Sequence, residues 1–237
     1  MFEVSEFVRA IVRSQGLFVS VIEDIAFENG WVRHEQLVEM AEDKAMFVNG
    51  QGPANLAAAC EKQGSKLVQV LTDYVFSGNE EGERVESDPV GPLSAYGRSK
   101  LEGEKQIAAL CSKYIIVRPA WLYGYVGYNF TKTMLRLGKS HDQITVVNDR
   151  LGNPTSANDL ACKILKIALT DNYGTYYDNN KETCSWCDFT TAVMQGAGLD
   201  CEVVLVTSEE YKQASPASAD RPAFSSLKIS FGANYWR

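Results

Sequence analysis

Histidine is almost missing from this sequence: His34 and His141 stand alone among 237 residues. Six cysteines are scattered at 60, 111, 162, 184, 187 and 201, and only Cys184 and Cys187 form a C-x-x-C. A zinc site needs two further ligands at suitable spacing, and neither histidine stands where it would supply one. No metal is therefore expected, and the thiols read as half-buried residues of a reducing compartment. Basic charge is also short. Lys and Arg total 23 against 30 Asp and Glu, a formal net charge of -7, which leaves no electrostatic footprint for nucleic acid. Long apolar runs are missing too. Glu3, Glu6, Arg9 and Arg13 interrupt the start of the chain before a signal-peptide core can form, and no stretch reaches the roughly 18 apolar residues of a membrane span. The expectation is a cytoplasmic protein that meets neither membrane nor nucleic acid.

Apolar residues make up 45% of the chain, enough for a packed core. Phe7, Val8, Ile11 and Val12 share one side of a helix, "GLFVSV" is a short extended piece, and "EDIAFENG" and "RHEQLVEMAEDKA" read as further helices. "PANLAAACEKQG" carries Pro53 near its first turn and Gly64 past its end, the asymmetry of helix termini. From Lys66 to Phe76, "KLVQVLTDYVF" is a nearly continuous apolar run, as in a strand covered on both faces. The two patterns then alternate. "SKLEGEKQIAALCS", "NFTKTMLRLGK", "ANDLACKILKIALT" and "SWCDFTTAVMQGAG" read as helices, and "KYIIVRPAWLYG", "QITVVND" and "CEVVLVT" as strands. Such alternation predicts α/β layering.

Tyr96 and Lys100, in "SAYGRSKLEGEK", fall one helical turn apart on the same face. An ammonium beside a phenol favours the phenolate and lowers a pKa that is otherwise about 10, which suits Tyr96 to general acid or base work. Thr72, read as the end of a parallel strand where ligand crevices open, is placed to hold a substrate carbonyl through its hydroxyl. Y-x-x-x-K spacing alone is commonplace on exposed helices. The motifs around it add the weight.

"TDYVFSG", "ESDPVGPLSAYGRSKLEGE", "VRPAWLYG", "NDRLGNPT" and "CSWCDF" follow in the order and spacing of the dTDP-4-dehydrorhamnose reductases. From about Glu42 to Leu227 the chain resembles that family, which belongs to the extended short-chain reductases of sugar-nucleotide metabolism. The resemblance implies an α/β fold: an incomplete Rossmann-like doubly wound parallel sheet, a small C-terminal substrate-binding subdomain mainly over 120–237, and a helical N-terminal segment. It implies that Thr72, Tyr96 and Lys100 are catalytic, that Tyr96 and Lys100 also meet the cofactor, and that Lys100 holds the nicotinamide ribose. It implies NADPH or NADH as cofactor, and reduction of the C4 ketone of a dTDP-linked 6-deoxyhexulose as the reaction. Trp121 would line the sugar pocket, with Asn129 and Arg221 as nucleotide contacts. Residue type alone leaves Trp121 open between core and pocket, and leaves Asn129 and Arg221 open between ligand contact and cap or surface. Asn153-Pro154-Thr155 reads as a turn. Epimerases share the Thr-Tyr-Lys set, so an epimerase-type reaction stays open as well.

The family begins with a strand, a glycine-rich turn and a helix whose N–H groups receive the cofactor pyrophosphate. No G-x-x-G-x-x-G or G-x-G-x-x-G precedes Thr72 here. "FEVSEFVRAIVRSQGL", "VIEDIAFENGWV" and "EQLVEMAE" instead resemble the C-terminal tail of glucose-1-phosphate thymidylyltransferase. The expected division is a transferase-like helical segment over 1–41 and a reductase domain over 42–237 without its first three strand–helix units. Turnover would then be impaired, or replaced by sugar-nucleotide binding without chemistry. In a sheet of order 3-2-1-4-5-6 the loss makes Lys66–Phe76 an edge. A long apolar edge calls for a homo-oligomer or a companion chain.

Overall fold

The computed structural model of the chain describes residues 34–215 and 221–228. The elements expected before His34 lie outside the described residues. In chain order the first elements are α1 (His34–Met46), a π-helical turn (Phe47–Gln51), α2 (Gly52–Gln63), β1 (Leu67–Val70), a 3-10 turn (Asp73–Val75), α3 (Ala95–Leu110) and β2 (Tyr114–Arg118). Next come β3 (Leu122–Tyr123), α4 (Phe130–Gly138), β4 (Gln143–Val147), β5 (Leu151–Gly152), β6 (Thr155–Ser156) and α5 (Ala157–Ala168). The remainder is β7 (Gly174–Tyr177), β8 (Cys184–Ser185), α6 (Trp186–Ala197), β9 (Glu202–Val206), α7 (Ser208–Ala214) and β10 (Phe224–Ser225).

β1, β2 and β7 form a parallel sheet in that order. In β2, Ile115, Ile116 and Val117 are all fully buried. Ile116 joins Ala57 of α2 and Ile107 of α3 on one face, while Ile115 and Val117 join Leu160 and Ile167 of α5 on the other. Successive strand side chains point to opposite faces, so helices on both sides require an unbroken apolar run. Each such side chain contributes about 1.5–3 kcal/mol on burial. A second layer pairs β4 with β9 in parallel and packs Ile144, Val146, Cys187, Met194 and Cys201 against Phe130, Met134 and Leu137 of α4.

Pro53 sits in the first turn of α2, in a helical path that is continuous from α1 through the π-helical turn. A proline has no N–H for the carbonyl four residues back, here that of Asn49, and the ladder locally widens to π spacing. At the other end Gly64 takes the left-handed conformation, φ 64°, and closes α2 with its N–H on Cys60 and Glu61 carbonyls.

Three extended or unassigned stretches differ from expectation. The run from Lys66 to Phe76 is a strand only over Leu67–Val70 and then tightens into the 3-10 turn, because the Thr72 side chain accepts the Tyr74 N–H and caps it. The expected edge is therefore short, although β1 pairs with β2 alone among the described residues. "KYIIVRPAWLYG" divides into β2 and β3 at Pro119 to Trp121, where Trp121 turns to φ 44°. "GTYY", left unassigned by its pattern, is β7, with Tyr176 and Tyr177 buried. Helix α7, for which the sequence reading gave no element, starts at a Thr207/Glu210 capping box, T-x-x-E.

Candidate active site

Thr72 follows β1 in an extended conformation, φ -157°, at the C-terminal edge of the parallel sheet. Ser94 caps α3 by accepting the Gly97 N–H at 3.0 Å, which sets Tyr96 in the first turn and Lys100 one turn on. Gly97 lets the helix come close: a Cβ there would lie 2.3 Å from the Tyr74 carbonyl oxygen. Any larger residue would push Tyr96 away from Thr72. The Tyr96 ring meets Tyr74 edge-on at 5.8 Å, and the Lys100 ammonium lies over the Tyr96 ring, 5.7 Å from its centroid. From the other side, buried Asn49 donates to Ser99 Oγ at 3.1 Å, and Ser99 donates to the Tyr96 carbonyl at 2.9 Å. Gly103 gives the Asn49 carbonyl room, since a Cβ there would sit 2.0 Å from it. Thr72, Tyr96 and Lys100 are thus brought together as expected, and Asn49 supports them.

The electrostatics correct one expectation. Tyr96 is pushed up to about 12, first by burial and then by the nearby Asp73 carboxylate, with the Thr72 hydroxyl pulling the other way. Lys100 does not lower it, because its ammonium lies over the ring and not at the hydroxyl; burial pushes Lys100 itself down. At neutral pH Tyr96 is therefore a neutral acid with a proton to give. Asp73 is buried, and its Oδ1 accepts the Thr72 hydroxyl proton at 2.9 Å. Burial raises it to about 6, opposed by the Thr72 and Ser225 hydroxyls. Its Oδ2 has no hydrogen-bond partner among the described residues.

Trp121 belongs to the edge of the core. It packs on the core of Val75, Phe76, Ala120 and Tyr177, yet it is only half-buried and stacks on Trp186 at 3.8 Å with planes 12° apart. Its left-handed backbone costs of order 1–3 kcal/mol, strain of a kind that clusters at ligand sites. Gly152 makes the seat, since a Cβ there would lie 2.3 Å from the indole. The 153–155 stretch is more than a turn. Asn153 is buried, accepts the Leu227 N–H at 2.8 Å and donates to the Glu182 carbonyl at 2.9 Å, while the Thr155 N–H holds the Trp121 carbonyl at 3.1 Å.

Asn129 is a helix cap: it accepts the Lys132 N–H at 3.1 Å and donates to the Gly124 carbonyl at 2.7 Å. Arg221 is exposed and stands beside Tyr74, whose phenol burial raises and Arg221 pulls back. It thus lies at the rim of the Thr72–Tyr96 site, with Asn129 engaged elsewhere. In the C-x-x-C, burial pushes Cys184 up to about 11 and Cys187 upward, so both are protonated thiols. Sequence reasoning missed Asn49, Asp73 and Trp186. The buried-strand reading of "TDYVF" hid Asp73, whereas Pro53 four residues after Asn49 was a usable signal of a freed helix carbonyl.

The sequence matches the RmlD substrate binding domain over residues 18–233. It is 38% identical over 185 residues to the spore coat polysaccharide biosynthesis protein SpsK of Bacillus subtilis, covering 78% of this chain and 64% of that protein. It is 37% identical over 203 residues to the dTDP-4-dehydrorhamnose reductase of Aggregatibacter actinomycetemcomitans, covering 81% and 68%. Among solved structures, the dTDP-4-dehydrorhamnose reductase of Bacillus anthracis in complex with NADP has a TM-score of 0.77 at 40% identity, covering 81% of this chain and 67% of that one. The ortholog from Clostridium acetobutylicum has a TM-score of 0.76 at 47% identity, covering 80% and 66%. The chain spans about two thirds of the length of these relatives. The family match begins inside residues 1–41, the segment expected to be transferase-like. A parallel sheet with Thr72, Tyr96 and Lys100 gathered at its C-terminal edge, and a match running over most of the sequence, lead to one assignment: the chain belongs to the RmlD substrate binding domain family.

Proposed function

We propose that this chain acts as a dTDP-4-dehydrorhamnose reductase, reducing the C4 ketone of a dTDP-linked 6-deoxyhexulose. The observation that carries this reading is Tyr96, a half-buried neutral phenol beside Thr72 and beneath the Lys100 ammonium, in a chain whose relatives carry that name. As negative charge develops on the ketone oxygen, Tyr96 gives it a proton. The phenolate left behind regains its proton from solvent. The Trp121–Trp186 stack offers the sugar an apolar wall, and Arg221 at the rim offers the nucleotide a cation.

The nicotinamide end of a cofactor fits these residues. The Lys100 ammonium has no hydrogen bond or ion pair among the described residues, which leaves its donors for ribose hydroxyls beside Tyr96. NADPH or NADH, when bound, supplies the hydride. For the pyrophosphate, residues 1–71 carry no glycine-rich turn, and we take cofactor affinity to be the weak point of turnover. Titration by calorimetry is expected to show weak or no NADPH binding, and micromolar affinity would overturn this part. The central test is NADPH consumption with a dTDP-4-keto-6-deoxyhexose. Tyr96→Phe is expected to lower it by about 10²- to 10⁴-fold with folding intact. Unchanged turnover would move the proton to another group.

A second reading, sugar-nucleotide binding without chemistry, is favoured by the same missing turn; tight dTDP binding with no NADPH oxidation would select it. An epimerase-type reaction would show as an isomerised product. The division into 1–41 and 42–237, a cytoplasmic location, and cover for the edge of β1 by a second copy or a companion chain complete the proposal. No helix among the described residues is long and apolar enough to cross a membrane. Light scattering over a dilution series tests association, and a stable monomer would remove that element.

A further inference from the structure

Residues 151–156 lie where three parts of the site meet. In β5, Leu151 and Gly152 pair with Phe224 and Ser225 of β10 on one side and with Ser185 and Cys184 of β8 on the other. In β6, Thr155 and Ser156 pair with Leu122 and Tyr123 of β3. β10 belongs to a strap, residues 221–228, that carries Arg221; β8 leads into Trp186, and β3 follows Trp121. Pro222 seats the strap on Gly78, where a Cβ would lie 2.3 Å from that of the proline, and the Phe224 N–H bonds the Gly78 carbonyl at 3.0 Å.

Asn153 stands in the link between β5 and β6 and is 1% exposed. Its side chain accepts the Leu227 N–H of the strap and donates to the Glu182 carbonyl ahead of β8. A backbone N–H can only donate and a carbonyl can only accept, so an amide answers both where a carboxylate or a methyl cannot. Among the described residues, two other than glycine have positive φ: Trp121 at 44° and Glu182 at 74°. Both give their carbonyls to this link, Glu182 to Asn153 Nδ2 and Trp121 to the Thr155 N–H. Such strain persists only where the surroundings hold it. Asn179 also donates to the Leu227 carbonyl, at 3.0 Å, which holds the strap without tying it to Trp121.

We propose that Asn153 is a positioning residue that locks the Arg221 strap, the Glu182 turn and the Trp121 segment into one frame, and so sets the spacing between the Trp121–Trp186 wall and Arg221. A nucleotide sugar would bridge that spacing, its sugar at the wall and its nucleotide at the arginine. That ligand rests on the reductase reading; the frame itself does not.

Two measurements on the full chain test the frame and its use. The first is hydrogen exchange without ligand. In the wild type the Phe224, Leu227 and Thr155 amides should open as one unit, with a single opening free energy. In Asn153→Ala, Phe224 and Thr155, neither bonded to the Asn153 side chain, should exchange faster while Ile115–Val117 keep their protection. Asn153→Asp keeps the acceptor for Leu227 and loses the donor for Glu182, so it should loosen β8 and spare the strap. Separate opening of Leu227 and Thr155 in the wild type overturns the frame even if neither variant folds, and so does an Asn153→Ala response confined to Leu227. The second measurement is dTDP binding by calorimetry in a cycle of Asn153→Ala, Arg221→Ala and the double variant. Each single change should weaken binding about tenfold and the double variant little more than either, since residues in one network are not additive. Losses that multiply, or unchanged affinity in Asn153→Ala, overturn the positioning role, because a merely structural Asn153 would act independently of Arg221. A wild type that opens as one unit but does not bind dTDP leaves the frame standing and overturns the nucleotide reading alone.

Discussion

At the C-terminal edge of the three-stranded sheet, Thr72, Asp73, Arg118 and Asp178 are all buried. The layer around β4 and β9 takes its core instead from Ile144, Val146, Cys187, Met194 and Cys201. In the first region each charge is managed singly. The Arg118 guanidinium is paired with Glu104, bonded to the Tyr177 hydroxyl at 3.3 Å and set over the Phe76 ring, and Asp178 is paired with Lys163. Asp73 has hydroxyls and no counter-charge beside it: Thr72 donates to Oδ1, and Oδ2 has no hydrogen-bond partner among the described residues. A buried carboxylate without a counter-charge costs stability, so its place beside Tyr96 reads as chemistry held at that cost. The β4–β9 layer carries no such burden among its described core residues and serves as a packed support for the Trp121–Trp186 stack.

The contrast can be broken at its strongest point. Glu104→Ala leaves the Arg118 guanidinium buried without its anion, and urea unfolding is expected to show a loss of about 3–5 kcal/mol. A loss below about 1 kcal/mol would mean that the pair behaves as a surface one, and the polar region would not be distinctive. In the apolar layer, Met194→Ala should cost about 2–5 kcal/mol by leaving a cavity. Hydrogen exchange should place its loosening in β4, β9 and α6, and equal loosening around Thr72 would show the two regions to be one cooperative unit.

Asp73→Asn should have the opposite sign. The folded pKa of about 6 lies above the ordinary 3.8, so the folded state holds the proton more tightly and wild-type stability falls as pH rises from about 4 to about 6. Above that window the asparagine variant should be the more stable by on the order of 2–3 kcal/mol, and the advantage should fade below about pH 4. Thermal melts at both ends of the range measure it; equal stability of the two proteins at pH 8 would mean that the buried carboxylate is not penalised. The smallest effect belongs to Glu42, whose 3.2 Å pair with Arg98 is half-exposed on both sides. Glu42→Gln should change unfolding by about 0–1 kcal/mol, a baseline against which the buried pair is judged.

Among the described residues the helices from α1 to α6 were read from the sequence with little error, and α7 was missed; Pro53 and Gly64, for example, mark the ends of α2 through local backbone chemistry. Strands were read less well. "KLVQVLTDYVF" and "KYIIVRPAWLYG" are mostly apolar, and nothing in their periodicity marks where pairing stops. The breaks come from a Thr72 side chain on the Tyr74 N–H and from a left-handed Trp121 seated over Gly152. The family motifs nevertheless named Thr72, Tyr96, Lys100 and Trp121 for the same neighbourhood, and the fold brings the first three together.

By itself the sequence determined that Tyr96 and Lys100 share a helix face, that helices alternate with buried strands, and that the motif order is that of one reductase family. Those are matters of spacing along the chain, written in residue types and legible without a neighbour. Tertiary structure alone decided which way the Tyr96 pKa moves, where the Thr72 proton points and why Asp73 matters. Burial and hydrogen-bond direction depend on groups brought in from β1, α3 and β10, far apart in sequence, and the balance between a nearby ammonium and a nearby carboxylate is settled only by their distances once the chain has folded.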